Sequence, residues 1–185
     1  MRITSLYPWR GEDPGVCLVL SHRKRLLVNK YFNELRDKDG VRIPSVGELK
    51  GVTSQPQEML LQRGMRLLGS SREKSRILNG TEYIVFEVNA SRVVVHLAPE
   101  FGGSDESLID LSHEEASCFL RLRYAVCYFT IQGRTLRDQH ILLLDARSRY
   151  FTVRHLIVGL SRVTAGRFAH VATRQQEKEF LEALE

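Results

Sequence analysis

A chain of 185 residues with 43% hydrophobic and 26% charged side chains has the make-up of one globular domain, or of one domain carrying a small insert. No run approaches the ~20 apolar residues of a membrane span, and the N-terminal stretch lacks the apolar centre of a signal peptide, so an intracellular chain without a membrane segment is expected. Three cysteines without a CxxC pair and six scattered histidines give no zinc or disulfide framework, and a net charge of +5 carried mainly by arginine suits a polyanionic partner.

Residues 1–15, with Pro8, Gly11, Pro14 and Gly15, read as a loop or incoming linker. Val16 to Leu20 is a short apolar run, a buried strand. Ser21 offers an N-cap, and Leu26, Leu27, Tyr31 and Leu35 follow at helical spacing through Arg36. Strand, polar turn and helix make an α/β unit. Asp37 to Gln57 is polar and rich in Gly and Pro, a linker or extended excursion. Met65 to Gly69, Glu82 to Val88 and Ser91 to Leu97 are β-rich, the last two pairing as a hairpin across Asn89-Ala90. Phe101 to Ser107 is a loop, and Leu108 to Leu111 reads as one more short strand. Together these suggest a small β-barrel inserted in the α/β domain.

Ser112 and Glu115 form a capping-box pattern ahead of a short helix. Leu120 to Ile131 alternates at first, which favours a strand. Gln139 to Asp145 is an apolar run ending in an acid, a central strand with Asp145 structural. Thr152 to Ser161 is a helix with Val153, Leu156, Ile157 and Leu160 on one face. Phe168 to Ala172 is a strand, and Thr173 with Gln176 opens a C-terminal helix to Leu184.

Two clusters in this second half stand in a telling order: Gln132-Gly133-Arg134-Thr135-Leu136 and, after the strand, Val158-Gly159-Leu160-Ser161-Arg162. This order resembles the C-terminal motor domain of superfamily 1 helicases, most closely the RecD-like branch. There QGxTL precedes a strand and then YVALSR. Ser21, His22, Arg25 and Asn29 resemble the family's motif IV. Leu60-Leu61, Gly64-Met65, Leu67-Leu68 and Asn79-Gly80-Thr81 resemble its SH3-like insert, with Ile84 where the family often has Gly. The chain departs from the pattern at Cys127, Phe129, Thr130 and Ile131, where Thr, His, Lys and Ser are usual, and at Gly159, where Ala is usual.

The resemblance implies an α/β fold: a RecA-like three-layer domain formed by residues 1–56 and 120–185, with an inserted SH3-like β-barrel at 57–119. It favours a helix over Tyr124 to Ile131. It implies the second half of an ATP-dependent DNA helicase or translocase of DNA replication or repair. Arg162 would be its arginine finger, Gln132 and Gly133 would face the γ-phosphate and its attacking water, and Arg25 would reach the nucleotide phosphates. Thr135 would meet nucleic-acid phosphate or the domain interface, and Arg63, Arg66, Arg72, Lys74 and Arg76 would grip a single strand of DNA, or of RNA in a viral relative. No GxxxxGK[ST] occurs in the chain, so ATP and Mg²⁺ would be held mainly by a separate N-terminal P-loop domain, and this chain alone is expected to be inactive. The other reading is a non-catalytic module for single-stranded nucleic acid or assembly. It follows from the loss of the motif's basic residue at Thr130.

Overall fold

The computed structural model describes residues 3–51, 54–71, 75–103, 107–133, 135–136 and 139–183. In chain order its elements are α1 (Ile3–Leu6), β1 (Val16–Val19), α2 (His22–Arg36), β2 (Val41–Ile43), β3 (Met59–Leu61), β4 (Arg66–Gly69), β5 (Glu82–Val88), β6 (Arg92–Leu97), β7 (Leu108–Ser112), α3 (His113–Phe119), β8 (Leu120–Leu122), β9 (Ala125–Cys127), β10 (Ile141–Leu143), α4 (Val153–Leu160), β11 (Ala169–Val171) and α5 (Arg174–Glu182). They form two compact units, one of Met1–Val28 with Tyr124–Glu185 and one of Asn29–Arg123.

The first unit is built on a parallel sheet in the order β11-β10-β1-β9 among the described residues. Its strands are continuous apolar runs (VCLV, AVC, ILL) with every residue buried, the signature of a parallel sheet covered on both faces. Beyond β11, the Val171 N–H donates to the Tyr7 carbonyl at 2.8 Å, and Pro8 bridges Val171. Gln176 Nε2 holds the Trp9 carbonyl at 2.7 Å, and Trp9 meets Phe180 edge-on at 6.0 Å. The expected N-terminal linker is therefore docked, because the β11 edge offers backbone groups that need partners. α5 starts with the expected capping box: the Gln176 N–H donates to Thr173 Oγ1 and the Thr173 N–H to Gln176 Oε1.

The second unit contains an antiparallel sheet in the order β7-β6-β5-β4-β8, with a bulge in β5 between Val85 and Glu87. Gly80, at φ +83°, makes the Asn79-Gly80 turn. The expected capping box of α3 is present, with the Glu115 N–H on Ser112 Oγ at 3.1 Å and the Ser112 N–H on Glu115 Oε2 at 2.8 Å. Arg121 is 1% exposed and spends its guanidinium on the carbonyls of Ser54, Ser117 and Leu120.

Three expectations are corrected. The polar stretch after Asp37 is not only a linker, because β2 lies inside it and pairs with β3 just beyond its end. The cause is Asn33 near the end of α2. Its amide mimics a strand, donating to the Leu60 carbonyl and accepting the Leu60 N–H, each at 2.7 Å. Residues 124–131 are β9 followed by turns, not a helix. Leu120–Leu122 and Ala125–Cys127, buried at every residue, are strands of two different sheets, and after Cys127 the N–H groups of Thr130 and Ile131 fold back onto the Cys127 carbonyl. The face expected to bury Val153 and Ile157 leaves them 70% and 61% exposed. Gly159 is the residue that packs inward, so close that an added Cβ would lie 2.8 Å from Leu143 Cδ2. Among the described residues the five-stranded ladder is open, with β2-β3 a separate ladder. Among the described residues no helix is long and apolar enough to cross a membrane.

Candidate functional site

In the parallel sheet the chain leaves β1 for β9 on one side and β10 for β11 on the other, so the strand order reverses between β1 and β10. Open α/β sheets bind ligands outside the carboxyl ends of the strands at such a point. Here it holds a cluster of three charges. Lys24 Nζ, from the first turn of α2, bridges Asp145 Oδ1 and Glu177 Oε1, the latter at 2.6 Å. Asp145 Oδ2 accepts the Leu20 N–H at 2.8 Å, and the Asp145 N–H donates to both Glu177 oxygens at 3.1 Å. Asp145 adopts φ +65°, a left-handed conformation unusual for a residue other than glycine, and these bonds hold it there. Burial pulls the Lys24 ammonium down, but its bonds to Asp145 and Glu177 outweigh that and hold its pKa above the ordinary lysine value. Asp145 is thus structural, as expected. Lys24 and Glu177 carried no motif that could have announced their part.

The two sequence clusters meet in this same unit. After β9 the chain turns through Tyr128–Gly133. Ile131 and Leu136 are buried, while Gln132, Gly133 and Thr135 are exposed. Gly133 has φ +84°, a conformation glycine adopts without steric cost. The Leu136 N–H donates to the Arg162 carbonyl at 2.6 Å, and Leu136 and Val163 form a parallel bridge. The half-buried Arg162 side chain donates from Nε to the Val158 carbonyl at 3.1 Å and from Nη2 to Ser161 Oγ at 2.9 Å. Arg134, inside the first cluster, lies outside the described residues.

Arg25 is placed differently from expectation. It is 4% exposed, its guanidinium lowered by burial and near the Cys127 thiol, so in this conformation it does not present itself to a nucleotide. Cys127 sits 3.7 Å from His22 Nδ1, but burial pushes the thiol up to about 11. Burial thus favours the protonated thiol, the weaker nucleophile.

In the second unit Arg63 is exposed, with its guanidinium 5.3 Å from the Phe86 ring centre. Arg66 is committed to Glu82 at 3.2 Å and Glu100 at 2.8 Å, and Arg76 to Glu115 at 3.6 Å and the Asp110 carbonyl at 2.9 Å. Arg72 and Lys74 lie outside the described residues. Tyr83 is core, 1% exposed, its hydroxyl accepting the Leu78 N–H, whereas Phe86 is only half-buried. Among the described residues no group of three His, Cys, Asp or Glu could hold a metal. The backbone bond between Leu136 and Arg162 joins the turn that carries Gln132 and Gly133 to the end of α4.

No family model matches the sequence, and no relative is found among curated proteins. Solved structures do match. The Pif1 helicase from Candida albicans is 16% identical, with a TM-score of 0.58 over 97% of this chain and 52% of that one. A structure of two coordinating Pif1 helicases unwinding forked double-stranded DNA is 18% identical, with a TM-score of 0.64 over 97% of this chain and 45% of that one. The Pif1 helicase from Bacteroides, in complex with ADP-AlF3 and single-stranded DNA, is 16% identical, with a TM-score of 0.58 over 94% of this chain and 45% of that one. The chain spans about half the length of these structures. What it shares with them is the fold, an α/β domain with a parallel sheet of the RecA-like helicase kind.

Proposed function

We propose that this chain is the second RecA-like domain of an ATP-driven superfamily 1 helicase or translocase of the RecD-like branch, completed by a P-loop domain outside it, with residues 57–119 an SH3-like insert. The observation that carries the reading is the Leu136–Arg162 hydrogen bond with its Leu136–Val163 bridge. It joins two clusters that are far apart in sequence and have no reason to touch in an unrelated fold.

In this reading Arg162 faces the γ-phosphate of an ATP bound by the P-loop domain. Its guanidinium is always charged and offsets charge building on the equatorial oxygens, while Val158 and Ser161 hold its orientation. Gln132 orients the attacking water, and the Gly133 turn keeps the loop clear of a bulky side chain. In this reading Mg²⁺ and the phosphate cradle belong to the partner domain, since the chain has no GxxxxGK[ST] sequence. Arg25 would join only if a change in this unit uncovered it. The exposed Val153 and Ile157 on α4 supply the kind of apolar surface a second domain covers. Thr135 on the first unit and Arg63 on the second would each be a contact for single-stranded DNA.

A second reading is favoured by one observation. Phe129, at the family's usual His, is 59% exposed, and Thr130 gives the loop no charge. A module that kept the fold and lost the motor would bind single strands without hydrolysis. The test is single-strand-stimulated ATP turnover by a P-loop domain joined to this chain and by that domain alone. The motor reading expects turnover to require the chain. Equal turnover with and without it supports the binding module.

A further inference from the structure

Residues 146–176 contain six arginines and no acidic residue. Three of them, Arg147, Arg149 and Arg154, flank Tyr150 between β10 and the first turn of α4, and all three are exposed. None forms an ion pair among the described residues. In the second unit three exposed arginines are ion-paired, Arg42 with Glu58, Arg76 with Glu115, and Arg92 with Glu87 and Asp110, while Arg63 lies beside the Phe86 ring.

The segment is also built to present an aromatic ring. The Ser148 N–H donates to the Asp145 carbonyl at 2.8 Å and the Phe151 N–H to the Ser148 carbonyl at 3.0 Å. Phe151 turns inward against Tyr128 (5.6 Å) and His155 (5.7 Å). Tyr150, its neighbour, is thereby turned outward and is 64% exposed. The Arg149 guanidinium lies 4.7 Å from the Tyr150 ring centre and bonds its hydroxyl. Unpaired arginines around an exposed aromatic are what single-stranded nucleic acid binds: phosphates take the guanidinium groups and a base takes the ring face. Because the segment follows Asp145, the Lys24–Asp145–Glu177 cluster fixes its root.

We infer that Arg147, Arg149, Tyr150 and Arg154 form a docking surface for single-stranded nucleic acid on the first unit, the Arg side chains on phosphates and Tyr150 under a base. This rests on the motor reading for the kind of partner. It differs from that reading in placing the main strand contact here, not on the insert, where Arg66 and Arg76 are already spent on carboxylates.

The test is fluorescence anisotropy with a labelled oligo-dT of about 15 nucleotides across a salt series. The proteins are the wild-type chain, the Arg147→Ala/Arg149→Ala/Arg154→Ala triple variant, Tyr150→Ala and Arg63→Ala. Trp9 fluorescence, from the same unit, checks that each variant is folded. The triple variant should bind at least tenfold more weakly at about 0.1 M salt and lower the slope of log K against log salt by about 2, from ~0.7 per phosphate lost. Tyr150→Ala should weaken binding roughly five- to a hundredfold at an unchanged slope. If the triple variant binds like wild type while Arg63→Ala loses affinity, this inference fails and the motor reading stands. If heparin or an acidic peptide binds as well as oligo-dT, with no effect of Tyr150→Ala, the surface is a general polyanion patch and the inference fails. If the wild-type chain binds no strand, both the inference and the strand-binding part of the motor reading fail.

Discussion

Replacing Lys24 with Met should destabilise the first unit by about 3 kcal/mol. Lys24 makes two charge-assisted hydrogen bonds, each worth ~1.5–3 kcal/mol, to carboxylates whose side chains are only 12% and 13% exposed. Relief from ordering the lysine returns up to ~2 kcal/mol, and two neighbouring carboxylates left without a cation add a cost of similar size. The remainder, ~3 kcal/mol, corresponds to about 10–20 °C of Tm for a unit of this size. Urea unfolding followed by Trp9, the sole tryptophan, reads this unit directly, since Trp9 packs on α5, the helix that carries Glu177. The pH dependence has a definite sign. The folded Lys24 pKa is raised, so its contribution is complete below the unfolded lysine value of ~10.4 and is lost as pH rises through the folded value. A loss under ~0.5 kcal/mol, or no extra alkaline sensitivity of wild type over Lys24→Met, would refute the cluster as the clamp of this unit.

Gly69→Ala should cost at least ~2 kcal/mol by urea unfolding, because the new Cβ would lie 2.2 Å from the Leu78 carbonyl oxygen, backbone that cannot swing away. Gly159→Ala, by contrast, meets only the end of Leu143 and gains helix propensity, so it should change stability by under ~1 kcal/mol. Thiol labelling at pH 8 should leave Cys127 unmodified in the folded chain and reach it on unfolding, since burial holds it near 11. Native labelling at the rate of an unfolded cysteine would contradict its buried placement.

Part of each unit was legible because its physics is local. Runs such as VCLV and ILLL announce buried parallel strands, and both capping boxes, Ser112 with Glu115 and Thr173 with Gln176, are satisfied within four residues. What escaped depends on partners remote in sequence. Asn33 pairs with Leu60, Lys24 with Asp145 and Glu177, and β11 with the N-terminal segment. No pattern at Asn33 announces a strand mimic. The helix expected over Tyr124 to Ile131 failed because Ala125–Cys127 pairs with β1, a partner more than a hundred residues earlier. For the candidate site, Gln132 and Gly133 are exposed on a turn whose end, Leu136, bonds the Arg162 carbonyl. Arg25 does not, since a cation at helical spacing gives no sign of which face will be covered.

If Arg162 is the arginine finger, single-strand-stimulated ATP turnover by this chain joined to a P-loop domain should fall by ~10³-fold or more in kcat on Arg162→Ala, with strand binding retained. Turnover unchanged by Arg162→Ala would contradict that role.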